Sequence, residues 1–350
     1  MKIGLAGYSG SGVTTLLALL SEDVELVGKH GGPEIRSIIV EDPRLEQLDG
    51  FFKPKKLTPL QVEVVELGDL RPEDGGGLRK ETLARAAGLD ALILVLRGFD
   101  APMSEQCRSA DELARELQSL MQEFCLADLM SVENRLERLG KEGNISSREA
   151  QFLLRLKAGL EEGNPIRKMG LDKEELRTLS GYNFLTLVPL MVVASVGGEC
   201  IASLRYADLA DRCSREGISF VETSSLAEFE TLEIDEDERA PFLADLGIQE
   251  TTRERFIEAL FAHLQLVIFF TVSEREVRAW AVPEGTPAVK AAGKIHTDME
   301  RGFIRAEVIS VDECIALGGL NKAKEAGKLR VEGKDYILKD GELFYVRFNV

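Results

Sequence analysis

Lys2-Ile3-Gly4-Leu5-Ala6-Gly7-Tyr8-Ser9-Gly10-Ser11-Gly12-Val13-Thr14-Thr15, running on into Leu16-Leu17-Ala18-Leu19-Leu20, decides the fold. A short apolar run, a turn of glycine and serine and a leucine-rich stretch read as strand, loop and helix. Gly7 to Thr14 keeps the frame of G-x-x-x-x-G-K-[ST], a phosphate-binding loop, in the context that frame requires. Its glycines let backbone N–H groups turn inward on a polyphosphate, and the helix N-terminus behind them adds partial positive charge. Gly7, Ser9, Gly10, Ser11, Gly12, Val13, Thr14 and Thr15 are therefore the candidate phosphate-binding residues, and Thr14 stands where a hydroxyl would meet Mg2+.

The lysine of that frame is missing, with Val13 in its place. Lysine normally reaches the β- and γ-phosphates and neutralises charge in phosphoryl transfer, and valine has neither donor nor charge. Three readings stay open: a working site with a borrowed cation, a site that only binds, or a loop that merely turns the chain. Tyr8 would either stack on a base or cover the loop.

Outward from the loop, Val62 to Leu67, Ala91 to Leu96, Leu190 to Ala194 and Ile218 to Val221 are near-continuous apolar runs. Such runs suit a parallel sheet covered on both faces. Helical stretches at Leu78 to Ala87 and Ser203 to Arg215 supply βαβ crossovers. Between Leu96 and Leu190 the pattern changes. Leu113, Leu117, Leu120 and Phe124, then Leu129, Val132, Leu136 and Leu139, recur at helical spacing, and Leu153, Leu156 and Leu160 resume it after a polar break. This reads as an antiparallel helical hairpin, the alternative being two ordinary amphipathic helices packed on the domain. Near the C-terminus, Val267 to Val272 and Val277 to Val282 form one hairpin signature. Tyr336 to Leu338 and Leu343 to Phe348 suggest a second about Asp340-Gly341, with a helix near Ala288 to Arg301 between them.

The chain has 350 residues, 44% hydrophobic and 29% charged, which predicts two or three domains and a full core. Sixty acidic against 43 basic residues give a net charge of −17, which disfavours a general nucleic-acid coat. From Glu222 to Glu258 twelve residues are acidic and three basic, a run expected to be solvated surface. From Gln265 to Val350 thirteen of each sign leave that end neutral. Cys107, Cys125, Cys200, Cys213 and Cys314 show no C-x-x-C spacing and read as reduced thiols, Cys200 and Cys314 as buried small hydrophobes. His30, His263 and His296 show no metal-ligand spacing, so no zinc site is expected. Nothing resembles a signal peptide, and no apolar run reaches the roughly 18 residues of a membrane span. A soluble, cytoplasmic protein is expected.

The sequence resembles the YchF / Obg-like ATPase family of P-loop NTPases over nearly its whole length. The strongest likeness is C-terminal: Glu276-Val277-Arg278-Ala279-Trp280, Lys290 to Asp298, Gly302 to Ile309, Gly333-Lys334-Asp335-Tyr336 and Arg347-Phe348-Asn349-Val350 look like that family's TGS domain, a β-grasp module. Leu126 to Leu129 with Val132 to Leu139 resemble its coiled-coil arm, and Asp42-Pro43-Arg44-Leu45, Asp90-Ala91 and Arg97-Gly98-Phe99 add points of likeness. The resemblance implies an α/β fold: a Ras-like P-loop NTPase domain over residues 1–103 and 181–264, an inserted helical arm over 104–180, and a TGS domain over 265–350. It implies ATP or GTP with Mg2+ as ligands and the ribosome or its RNA as a partner through the TGS domain and arm, with neither DNA nor a membrane.

The departures fall on the nucleotide site. Val13 replaces the lysine, and Lys29 to Ile38, where a first switch would sit, offers only Ser37 as a hydroxyl. The family's D-x-x-G reads Glu66-Leu67-Gly68-Asp69: Glu66 would still reach Mg2+ beside Thr14, but Asp69 puts an anion where a glycine N–H would meet the γ-phosphate. The base-reading motif falls on Ser195-Val196-Gly197-Gly198, which names neither ATP nor GTP. Gly75-Gly76-Gly77 would still allow a mobile second switch.

These losses predict a nucleotide-binding protein with weak or absent hydrolysis, acting as a ribosome- or translation-associated factor. The alternatives are a nucleotide-free scaffold, and a competent enzyme with Lys2 or Lys29 as the borrowed cation. Lys290, Lys294 and His296, with Lys322, Lys324, Lys328 and Arg330, form a candidate basic partner face on the TGS domain, or are solvated residues balanced by neighbouring acids.

Overall fold

The computed structural model describes residues 1–27, 34–72, 77–99, 107–179, 181–197 and 206–349, apart from the side chains at 236 and 237. Lys29, His30, Gly75, Gly76, Gly198, Cys200 and Val350 lie outside the described residues. Two compact units share the chain: Met1–Ile38 with Glu63–Leu260, and Ile39–Val62 with Phe261–Val350.

The strands in chain order are β1 (Lys2–Gly7), β2 (Ile35–Val40), β3 (Lys56–Thr58), β4 (Leu60–Asp69), β5 (Ala91–Arg97), β6 (Leu190–Ser195), β7 (Ser219–Thr223), β8 (Leu266–Val272), β9 (Glu276–Pro283), β10 (Phe303–Ser310), β11 (Arg330–Glu332) and β12 (Glu342–Phe348). The first sheet runs β2-β4-β1-β5-β6-β7. Its pairs β4–β1, β1–β5, β5–β6 and β6–β7 are parallel, as the apolar runs predicted. Ala91 to Leu96 are all at most 1% exposed, which requires helices on both faces.

The first four α-helices differ in how they begin. α1 (Val13–Ser21) leaves β1 through the phosphate loop. α2 (Pro43–Phe52) opens on Asp42, whose carboxylate accepts from Arg44 N, with proline at N1. α3 (Lys80–Arg85) is short and has no side-chain cap. α4 (Ala110–Lys141) has 32 residues and starts at a capping box of Ser109 and Glu112.

The helical hairpin is present, but its root is not where the leucine pattern alone would put it. Leu113, Leu117, Leu120, Phe124 and Ala127 of α4 pack into the core of the first sheet with Leu92, Leu94 and Leu96. The arm proper begins beyond them. There Val132 and Leu139 meet Leu153, Leu156 and Leu160 of α5 (Arg148–Glu161). Arg135 clasps Glu149 at 2.8 Å across the pair. Asp128 marks the changeover: 2% exposed, it accepts from Leu185 N, Thr186 N and Thr186 Oγ1 at 2.7–2.9 Å.

The second sheet runs β11-β10-β12-β8-β9-β3. β8 and β9 form the expected hairpin, and β12 lies parallel to β8 between it and antiparallel β10. With the helix Ala288–Ile295 packed on one face through Ala288, Ala291 and Ala292, this is the β-grasp arrangement. The second expected hairpin is not formed. Tyr336 to Leu338 make no strand; Ile337 has a single bridge to Pro287, and Leu338 is buried in the core. Gly341 has φ 77° and Asp340 accepts from Ile268 N at 2.7 Å, so the turn sends β12 into the middle of the sheet instead. The expected helix is broken at His296, whose extended backbone and Nδ1 cap the next helix, Thr297–Arg301.

Residues 39–62, expected within the nucleotide domain, lie in this second unit. β3 pairs in parallel with β9, while Leu45 and Leu48 of α2 are buried among Ile268, Phe270 and Val277. Arg44 lies 5.3 Å from the Phe270 ring centre and pairs with Asp340 at 2.5 Å. The expectation of uniformly reduced thiols fails at Cys107, which is disulfide-bonded. Cys125, Cys213 and Cys314 are free and buried, and burial pushes the first two thiols up to about 11.

Candidate functional site

β1 is buried and flat until Gly7, where the chain must leave the sheet without a side chain. A Cβ there would stand 2.5 Å from Val95 O and 2.4 Å from Ser11 Oγ, so only glycine fits. The loop closes through Ser11 N donating to Tyr8 O at 3.0 Å, with Gly10 and Gly12 left-handed at φ 81° and 97°. The first intrahelical bond is Leu16 N to Gly12 O, and no side chain caps the helix. The N–H groups of the first turn of α1 are therefore left for an anion.

Gly7 to Thr15 line one cleft of about 270 Å3 together with Glu66, Gly68 and Asp69 from the end of β4. All the candidate phosphate residues are thus in one place. Thr14 Oγ1 donates to Glu66 Oε1 at 2.9 Å, and Glu66 Oε2 accepts from Glu34 N at 3.4 Å. A hydroxyl and a carboxylate held this close make an all-oxygen pair of the kind Mg2+ takes when phosphate oxygens and water complete its shell. Thr14 and Glu66 would hold it. Among the described residues no cluster of three or more His, Cys, Asp or Glu could hold a metal.

Val13 does not reach outward. Half-buried, it lines the cleft, with its Cγ2 3.2 Å from where a Cβ on Gly7 would stand. Asp69 comes closer to the backbone than its sequence position suggests: its Oδ1 accepts from Ser9 N at 3.1 Å, and Oδ2 from Arg71 Nε at 2.6 Å. Although partial burial acts to raise the Asp69 pKa, these bonds from Arg71 and Ser9 outweigh it and hold the group below the usual carboxylate range. An anion thus already occupies one N–H of the loop.

Several other candidates fall elsewhere. Lys2, at the far end of β1, donates to Ala87 O at 3.2 Å and Arg85 O at 3.4 Å and cannot be the borrowed cation. Ser195 and Val196 are 3% and 4% exposed; Ser195 Oγ would lie 3.1 Å from a Cβ on Gly12 and Val196 is in the core, so neither lines the cleft. Gly197, the next residue, is not among the lining residues. Tyr8 leans onto α4, its hydroxyl 3.3 Å from Ser119 Oγ, which is a covering position. In the second unit Lys290, Lys294 and His296 are all exposed, with Lys290 paired to Glu300 at 2.5 Å. Arg330 is held by Glu342. Trp280 is half-buried sheet packing, its Nε1 bonded to Thr271 Oγ1 at 3.0 Å.

Sequence reasoning missed a group that the fold brings to the loop. A second cavity of about 520 Å3 is lined by Tyr8, Ser9 and Ser11 of the loop and by Arg97, Arg108, Glu112, Arg115 and Glu116. In the sequence Arg97 is no more than a point of likeness. The signal lies in its place at the C-terminal end of a strand adjoining β1, where open α/β sheets bind ligands.

A family model for the C-terminal domain of YchF GTPases, described as a protein of unknown function (DUF933), matches residues 266–349. Over its whole length the chain is 38% identical to the ribosome-binding ATPase YchF of Haemophilus influenzae, covering 99% of that protein. It is 32% identical to the ribosome-binding ATPase YchF of Bacillus subtilis, with both chains fully covered. Among solved structures, the YchF GTPase of Schizosaccharomyces pombe matches 99% of this chain and 97% of its own, at 24% identity and a TM-score of 0.80.

Proposed function

Because the chain belongs to the YchF / Obg-like ATPase family, we propose that it binds ATP or GTP with Mg2+ at Gly7–Thr15, hydrolyses it weakly or not at all, and works in the cytoplasm as a ribosome-associated regulatory factor. The observation that carries this reading is the state of the loop. Its backbone cradle is open and uncapped and its Thr14–Glu66 pair is in place, but the residue that would neutralise transferring charge is Val13. Backbone N–H groups and a helix terminus suffice to hold a phosphate; stabilising a transition state asks for the missing cation as well. Calorimetric titration with MgATP and MgGTP, beside single-turnover phosphate release, tests it. Micromolar to millimolar binding with little or no release is expected, and no binding at millimolar nucleotide would sink the proposal. Ribosome association is read by co-sedimentation over a range of salt, where a pellet that weakens as salt rises is expected of a face that includes Lys290, Lys294 and His296.

A second reading, a scaffold that holds no nucleotide, is favoured by the Asp69 carboxylate on Ser9 N. It predicts the same ribosome pellet and no heat with any nucleotide.

A further inference from the structure

The cavity beside the loop carries three features that call for an anion. The first is Arg97. It is half-buried, and among the described residues its guanidinium makes no hydrogen bond and no ion pair. A partly desolvated guanidinium without an acceptor is unfavourable unless something anionic completes it. The second is Ser11 Oγ, on a residue 1% exposed, which has no hydrogen-bond partner. The third is the local charge. Arg108 is spent on Glu116 and on Arg97 O, and Glu112 on the Ser109 cap. Arg115 donates only to the Asp111 carbonyl at 3.2 Å. Three guanidiniums against the carboxylates of Glu112 and Glu116 leave this cavity one net positive charge, on a protein whose net charge is −17.

β1 and β5 run parallel with Ala6 opposite Leu94, so both strands end at this edge of the sheet, and Ser9 and Arg97 line the same cavity. The cavity and the phosphate cleft share Tyr8, Ser9 and Ser11. The phosphate cleft opens on the β4 side of β1, where Ser9 N meets Asp69, and the cavity of Arg97 on the β5 side. A phosphate held past Ser9 and Ser11 on the side away from Asp69 would meet this cavity.

We propose that Arg97 is the phosphate-binding cation of this site, gripping the terminal phosphate of a nucleoside triphosphate from the side of β5 in place of the missing loop lysine. A guanidinium suits the role, since its planar fork takes two phosphate oxygens at once. The inference rests on the nucleotide reading and deepens it. It implies that the protein distinguishes triphosphate from diphosphate through Arg97.

The test is titration of the full chain with MgATP, MgADP and inorganic phosphate, for wild type, Arg97→Ala, Arg97→Gln and Arg97→Lys, with near-UV circular dichroism to confirm folding. Wild type is expected to bind MgATP more tightly than MgADP. Arg97→Ala and Arg97→Gln should weaken MgATP tenfold or more and change MgADP less than threefold, with Arg97→Lys in between. Equal affinity of wild type and Arg97→Gln for MgATP, or equal losses for ATP and ADP, would overturn the role of Arg97 and leave the nucleotide reading standing. Arg97-dependent binding of inorganic phosphate with no preference for ATP over ADP would make this a free-anion site and overturn the assignment to nucleotide. A wild type that binds no nucleotide removes both proposals.

Discussion

Valine at position 13 deletes a charge without disturbing the loop that carried it, because the fold of the loop depends on Gly7, Gly10 and Gly12. Val13→Lys is accordingly expected to keep the structure and to tighten MgATP about tenfold, the worth of one charge-assisted bond of roughly 1.5 kcal/mol. Turnover should stay low, since the Asp69 carboxylate still holds Ser9 N. Asp69→Gly removes that competitor and should tighten MgATP by a further several-fold, read in the same titrations; weaker binding in that variant would mean that Asp69 holds the loop open rather than occupying it. The Thr14–Glu66 pair is visible in the sequence because each motif fixes its own residue and both motifs end parallel neighbouring strands. Arg97 is not, because its closeness to Ser9 is made by strand pairing between distant segments. Lys2 is nearer in the chain, but it starts β1 and Gly7 ends it, about 16 Å away at 3.3 Å per residue.

At the scale of elements the arm and its root behave differently, and the sequence shows why they read as one. Leucine recurs at helical spacing through all of α4, so nothing in the pattern says which partner a given leucine meets. The structure divides it at Asp128, a carboxylate that is 2% exposed. Burial raises Asp128 to about 6, well above the ordinary aspartate value, against the lowering effect of the bonds from Thr186 and Leu185. A folded-state pKa above the unfolded one means that the native protein holds this proton between about pH 4 and 6 while the unfolded chain releases it. The resulting stability is fully present below the unfolded value and is lost as pH rises through 6, a swing of about 3 kcal/mol. Asp128→Asn cannot titrate. Its destabilisation relative to wild type should therefore grow as pH falls from 7 to 4, measured by urea unfolding at each pH; a constant difference would show that Asp128 is not buried as a carboxyl. In the arm itself Leu156, fully buried between α4 and α5, should cost about 2–5 kcal/mol as Leu156→Ala. That loss should appear as faster hydrogen exchange in α5, with MgATP affinity unchanged.

Over the whole molecule, charge and connectivity divide the chain along different lines. The negative charge lies entirely before Gln265, and the neutral C-terminal segment shares its unit with residues 39–62. Composition and likeness make residues 265–350 look self-sufficient, since every strand of the β-grasp except its added edge is there. What no local pattern reveals is that α2 and β3 complete it. Leu45 and Leu48 fill its core, β3 covers the edge of β9, Thr58 Oγ1 bonds Glu276 at 2.5 Å, and Arg44 bridges to Asp340. A fragment of residues 265–350 should therefore be incomplete. Removing two buried leucines alone costs about 4 kcal/mol or more, a large share of the roughly 5–15 kcal/mol that holds a domain together. The fragment is expected to melt without a sharp transition and to expose apolar surface to a hydrophobic dye. Fusing residues 39–62 to it through a flexible linker should restore a cooperative transition. A bare 265–350 fragment as stable as the fusion would show that α2 and β3 merely rest on this unit.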